Sequence, residues 1–197
     1  MGGRIASDDC LDIIFREART FNGYHDRPVT AVQAEAIWEL MKLGPTSANA
    51  LPARMVWCLS PESRERLALC ATGNNPDKIR AAPAAVVIGM DLAFHDHLPD
   101  LFPHADARSW FHGDDALIAA TAMRNSAMQA AYFIIAARAL GLDTGPMSGF
   151  DADKVDEAFF AGTTTRVNLI STLGYGDPSS IFPRSPRPPF ERFNTVV

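Results

Sequence analysis

Cysteine is scarce in this chain: Cys10, Cys58 and Cys70 are the only three in 197 residues, and no two stand in a CxxC pair. With so few thiols and no His or Cys cluster at metal-ligand spacing, neither a disulfide framework nor a metal site is expected. The GxSxG elbow, the GxxxxGK phosphate loop, the HExxH zinc signature and a GxGxxG after a strand are all missing. Activated-serine hydrolysis, P-loop chemistry, zinc proteolysis and Rossmann dehydrogenation therefore lose their usual sequence support. No apolar run approaches the roughly 20 residues a bilayer needs. Residues 1–19 alternate charges with apolar side chains and lack the apolar core of a leader, so a cytoplasmic location is expected. Positive charge is not in excess either. The formal net charge of −5 speaks against nucleic-acid or anionic-membrane partners.

What is present suits one domain over residues 1–197, with an extended Pro- and Arg-rich arm from about 177 to 197. Residues 8–19 carry Leu11, Ile14, Phe15 and Ala18 at helical spacing, and Thr30 can cap a second helix to about residue 43. Residues 53–59 and 166–174 read as strands, and 84–90 is an apolar run typical of a strand buried on both faces. Ser60-Pro61-Glu62 opens a short helix, and Asp151 caps another to about residue 160. Residues 91–113 read as a partly helical excursion, and 144–150, rich in Gly and Pro, as a loop.

The long helix predicted over residues 114–140 is apolar nearly all round, so both its faces need burial. It is either the central helix of a monomer or a helix packed on a symmetry mate. Thr121, Asn125 and Gln129 form a polar stripe at i, i+4 and i+8. Buried polar groups must be hydrogen-bonded, so this stripe requires another segment, water or a ligand.

Several polar loops are pre-shaped by Gly or Pro. Arg19-Thr20 with Asn22 offers a cation, a hydroxyl and an amide; Pro45, Thr46, Ser47 and Asn49 follow Gly44; Asn75 and Lys78 lie one helical turn apart. Gly145 to Gly149 offer backbone N–H groups, and Arg184 and Arg187 flank a Ser-Pro in the arm. Together they suit a ligand with an anionic end, a hydroxylated middle and a hydrogen-bonding ring.

In order and wording these segments resemble the nitroreductase family over nearly the whole chain. The match is closest to the branch containing the malonic semialdehyde reductase of uracil breakdown. The carriers are ART-x-NG at 18–23, MK-x-GPTSAN at 41–49, LFPH-x-DARSWF at 101–111, RNS-x-MQAAY at 124–132, RALGLDTGPMSGFD at 138–151 and GYGD at 174–177. The resemblance implies an α+β three-layer fold, with a central mixed or antiparallel sheet flanked by helices. It implies an intertwined homodimer with FMN at the interface and NADH or NADPH as co-substrate.

Carried over by position, Arg19, Thr20 and Asn22 approach the FMN phosphate and ribityl chain, and Arg184 and Arg187 close on the phosphate from the arm. Pro45, Thr46, Ser47 and Asn49 reach the flavin of the other subunit. Asn75 and Lys78 contact the pyrimidine edge and ribityl oxygens. Pro146, Met147, Ser148 and Gly149 face the ring, with the Gly149 N–H near the reactive N5. The chemistry is then the flavin's, with no catalytic side chain and no metal. Relatives often have a basic residue where Ala18 and Asn22 stand, Gln at Leu51 and Glu at Ser148, which moves the weight of phosphate binding onto Arg19, Arg184 and Arg187.

For the substrate, the resemblance points to reduction of malonic semialdehyde to 3-hydroxypropionate, with Arg108, Trp110 and Phe111 in a lid over 95–112 and Arg108 on the carboxylate. The competing reading of Arg108 is a structural salt bridge. Competing functions are a broad nitro- or quinone-reductase, and a flavin-binding protein without turnover.

Overall fold

The computed structural model describes residues 3–197. Four strands, β1 (Ala53–Cys58), β2 (Ala84–Asp91), β3 (Asp143–Met147) and β4 (Thr165–Gly174), form one sheet in the order β1-β2-β4-β3, antiparallel throughout. Of the two sheet types expected, the antiparallel one is realised. Both faces are covered by helices. Ala84, Val86 and Ile88 of β2 pack with Ile37 and Met41 of α2 (Ala31–Met41) and Phe133 of α6 (Asp115–Ala139). Ala85 and Val87 point the other way, onto α3 (Pro61–Ala68), α4 (Asn75–Ala81) and α7 (Ala152–Phe160). Successive strand residues face opposite sides, so a strand covered on both must be apolar along its length, as β2 is from Ala84 to Met90.

Two expectations need correction. Residues 8–19 are not one α-helix: α1 (Asp8–Leu11) passes into a π-helical turn, Asp12–Arg16, and Phe15 stays exposed. Residues 144–150 are not all loop, because Asp143–Met147 is β3. Pro146 is tolerated there because β3 is an edge strand, where a missing N–H spares the ladder. Gly145 is required by crowding: a Cβ would stand 2.4 Å from Thr172 Oγ1 and 2.8 Å from the Phe21 carbonyl oxygen.

The excursion after β2 contains a 3₁₀ turn at Phe94–His97, the short α5 (Leu98–Leu101) and a second 3₁₀ turn at Ala107–Phe111. Phe94, Leu98 and Phe111 gather beneath it with Ala122 of α6 as a satellite core. On α6, Asp114 caps the N-terminus through its side chain, and Thr121, Asn125, Gln129 and Phe133 are buried. Leu117, Met123 and Met128 remain exposed, so one chain buries only one side of this helix. No helix of the described residues is long and apolar enough to cross a membrane.

Candidate functional site

The N-terminal turn lies along the open edge of β3. Thr20 forms a parallel bridge with Thr144, the Phe21 N–H donates to the Thr144 carbonyl at 3.3 Å, and Tyr24 bridges Gly176. Burial pushes the Tyr24 phenol above its ordinary pKa, and its OH lies 2.7 Å from Thr172 Oγ1. The chain after β4 returns over this turn. Asp177 N–H donates to the Gly23 carbonyl at 3.1 Å, Asn22 Nδ2 to the Ser180 carbonyl at 3.2 Å, and Gly23 N–H to Ser180 Oγ at 3.0 Å.

Between turn and arm opens a cleft of about 450 Å³, lined by Arg19, Thr20, Asn22, Arg138, Arg184 and Arg187 among others, with no carboxylate side chain in its wall. The guanidiniums bond only to backbone carbonyls: Arg19 to Phe182, Arg138 to Ile14, Arg184 to Arg16 and Ala18, and Arg187 to Ser185 and Pro186. Like charges gathered without counter-charges repel one another, and an anion in the cleft removes that repulsion. The N-terminal and C-terminal arginines singled out from sequence thus meet here. Arg138 was not singled out, because near the end of a helix an arginine reads as a complement to the helix dipole.

A second group lies where β3 gives way to α7. The Gly149 carbonyl accepts from the Thr72 N–H at 3.0 Å and Asn75 Nδ2 at 2.9 Å, and a Cβ at Gly149 would sit 2.6 Å from that nitrogen. Lys78 is half-buried and in no ion pair among the described residues. Pro146 and Met147 are half-buried in β3, and Ser148 is exposed.

The 45–51 loop sits elsewhere. It feeds β1, at the opposite sheet edge from β3, three inter-strand steps or roughly 14 Å away. The polar stripe of α6 fastens it and the strand start beyond it. Asn125 Oδ1 accepts from the Ser47 N–H and Gln129 Oε1 from the Ala53 N–H, both at 2.8 Å, and Tyr132 OH donates to the Pro45 carbonyl at 2.9 Å. Thr46 Oγ1 accepts from the Leu51 N–H at 3.2 Å, and Asn49 Nδ2 donates to the Leu101 carbonyl at 2.9 Å. Ala48, Asn49 and Leu51 all have positive φ, 49°, 52° and 41°, which for Ala and Leu stores strain.

Beyond this loop Arg54 Nη2 meets the buried Asp91 Oδ2 at 2.5 Å, and Thr164 Oγ1 donates to Asp91 Oδ1 at 2.6 Å. In the excursion Arg108 pairs with Asp96 at 2.7 Å, both exposed, and Arg108 also borders a groove of about 1170 Å³ shared with His95 and His112. Trp110 is exposed over Phe102, whereas Phe111 is buried against Phe94 at 4.9 Å between ring centroids. No cluster of metal-ligating side chains occurs among the described residues.

The nitroreductase family profile matches residues 16–175. A Burkholderia lata protein provisionally named NADH dehydrogenase/NAD(P)H nitroreductase is 59% identical, over 94% of this chain and 95% of that protein. A Stenotrophomonas maltophilia protein of the same provisional name is 54% identical over 92% of each. Among solved structures, a provisionally named nitroreductase from Exiguobacterium sibiricum in complex with FMN superposes with a TM-score of 0.84 at 20% identity, covering 98% of this chain and 99% of that one. At that identity the likeness concerns the fold. The chain belongs to the nitroreductase family.

Proposed function

We propose that this chain is an FMN-dependent oxidoreductase that takes its electrons from NADH or NADPH and works as a homodimer. The observation that carries the reading is the arginine cleft without a carboxylate in its wall, opening beside the N-terminal turn that pairs with β3. A terminal phosphate suits such a cleft. The FMN in the Exiguobacterium sibiricum structure and the names of the relatives point the same way.

Bound FMN would supply two-electron chemistry, passing hydride from the nicotinamide to an electrophile. The chain's own residues bind and orient. Arg19, Arg184 and Arg187, with Thr20 and Asn22, would hold the phosphate and ribityl end. Pro146, Met147 and Ser148 would face the ring. The Gly149 N–H engages no acceptor among the described residues and would be a donor to it. Asn75 would meet the pyrimidine edge, and the unpaired Lys78 would add positive charge there. The 45–49 loop, on the far edge of the sheet, would serve the ring bound by a second copy. The apolar face of α6 at Leu117, Met123 and Met128 is the surface such a copy would cover.

For the electrophile, the segments at 101–111 and 138–151 favour malonic semialdehyde, reduced to 3-hydroxypropionate. Arg108 at the large groove would be the carboxylate contact, with Trp110 and Phe111 nearby. A broad nitro- or quinone-reductase is the second reading, favoured by the names of the relatives. Purified protein is expected to be yellow and dimeric, and to bleach on anaerobic addition of NADH or NADPH. Protein that is colourless and takes up no FMN overturns the flavin reading; bound FMN without bleaching favours a flavin store. Comparison of kcat/KM for malonic semialdehyde and a nitroaromatic decides the substrate, and faster reduction of the nitroaromatic rejects the aldehyde acid.

A further inference from the structure

Arg138 lies in the last turn of α6, and its guanidinium lines the same cleft as Arg19, Arg184 and Arg187. One amino group is in use: Nη1 donates to the Ile14 carbonyl of the π-helical turn at 2.9 Å. The Nε is buried and has no partner among the described residues. Nη2 makes no hydrogen bond among the described residues and is not one of the buried donors, so it is the amino group left for an oxyanion in the cleft. A buried charged donor left unpaired is unfavourable, and no acceptor among the described residues meets the Nε. Burial lowers the Arg138 pKa, the charge of Asp143 opposes it, and the charge of Arg184 adds to the lowering. That carboxylate is itself occupied, accepting from the Gly176 N–H at 2.9 Å. The negative end of the α6 dipole holds the cation in place without using its donors.

We propose that Arg138 is a further phosphate-binding residue, a fourth guanidinium that takes a terminal phosphate oxygen on its free Nη2 and makes the cleft select a phosphorylated flavin over riboflavin. The inference rests on the flavin reading above. Because Nη1 keeps the Ile14 carbonyl, the same residue ties the Asp12–Arg16 turn to the occupied site. FMN, and not riboflavin, should then slow amide exchange across residues 12–18.

The test uses the full chain with Arg138→Gln and Arg138→Lys. Titrations with FMN and riboflavin are read by flavin fluorescence quenching, and inorganic phosphate by thermal shift. Arg138→Gln is expected to weaken FMN about tenfold to a hundredfold and leave riboflavin unchanged. Arg138→Lys keeps the charge, loses the fork and should fall between. If Arg138→Gln does not fold, Arg138→Lys must still weaken FMN alone. Equal weakening of FMN and riboflavin, or no weakening of FMN, overturns the proposal. If the wild-type chain takes up neither flavin, the flavin reading fails by itself. The phosphate arm then decides: a stabilisation by phosphate that Arg138→Gln abolishes supports the residue's role, and one that persists unchanged overturns it.

Discussion

The arginine cleft and the 45–54 segment use the same kinds of side chain to opposite ends. In the cleft, four guanidiniums converge with only backbone carbonyls as partners, and one buried Nε has none. In the 45–54 segment the one arginine, Arg54, is paired with Asp91, and the amides of Asn125 and Gln129 bind main-chain N–H groups. The cleft is relaxed in backbone and unsatisfied in charge. The segment has its main-chain N–H groups at Ser47, Leu51 and Ala53 bonded and its arginine paired, though Gln129 Nε2 is buried without a partner among the described residues. It is strained in backbone, with three non-glycine residues at positive φ. The first condition is what an anion removes; the second is what a loop tolerates when its shape serves a surface outside its own chain. Both regions hang on α6, Arg138 near its end and Asn125 in its middle, so the contrast can be tested by substitutions on one helix.

The largest effect is expected at Asn125. It is wholly buried, and its side chain accepts from Ser47 and donates to the Thr121 carbonyl at 2.8 Å. Asn125→Ala removes both bonds and opens a cavity, which should destabilise by about 2–3 kcal/mol in a denaturant titration. Stabilisation by inorganic phosphate should stay as in the wild type, because the cleft lies at the other end of the helix. A parallel loss of phosphate binding would mean that the two regions are one unit.

How much of this was legible in the sequence depended on how local the cause was. The strand at 84–90 was readable because burial on both faces demands an unbroken apolar run, and it extends one residue further, to Asp91. The polar stripe on α6 announced a need for partners without naming them; for Asn125 and Gln129 they are the main-chain N–H groups of Ser47 and Ala53. β3 was missed because Gly145 and Pro146 are turn residues by propensity, and only the closeness of Phe21 and the edge position explain them as strand. Arg19 and Arg184 carry no local sign of each other. They meet because the turn pairs with β3 and the arm folds back over it, so the resemblance joined what periodicity could not. Arg138 escaped both approaches.

Asp91 provides the middle test, in the satisfied region. Burial raises its pKa, but the bonds from Thr164 and the Ala93 N–H and the charge of Arg54 outweigh this, and the net shift is downward. His97, 4.0 Å away, also faces it. A carboxyl held below its ordinary value of 3.8 favours folding in its ionised form. That contribution is complete well above 3.8 and is lost as pH falls below it toward the folded-state value. Asp91→Asn should therefore cost about 1–2 kcal/mol at pH 7. The gap to wild type should narrow in denaturant titrations at successively lower pH. A gap that is constant with pH would show that the carboxylate charge is not what Arg54 and Thr164 recognise.

The smallest effect is expected where the loop is strained. Ala48 at φ 49° pays for a left-handed backbone at about 1–2 kcal/mol, which glycine avoids. Glycine loses about 0.5–1 kcal/mol through the freedom it gains when unfolded, and the Ala48 methyl gives up some contact with the satellite core. These terms nearly cancel, so Ala48→Gly should lie within about 0.5 kcal/mol of wild type. The same substitution at the exposed helical Ala127 should cost about 1 kcal/mol. The difference between the two denaturant midpoints measures the strain directly. If Ala48→Gly is as destabilising as Ala127→Gly, the positive φ costs the folded chain nothing and the loop is not the strained member of the pair. If the two separate as expected, the strain is real, and a fall in kcat/KM for Ala48→Gly at unchanged stability would show that the locked shape of the loop serves the reaction.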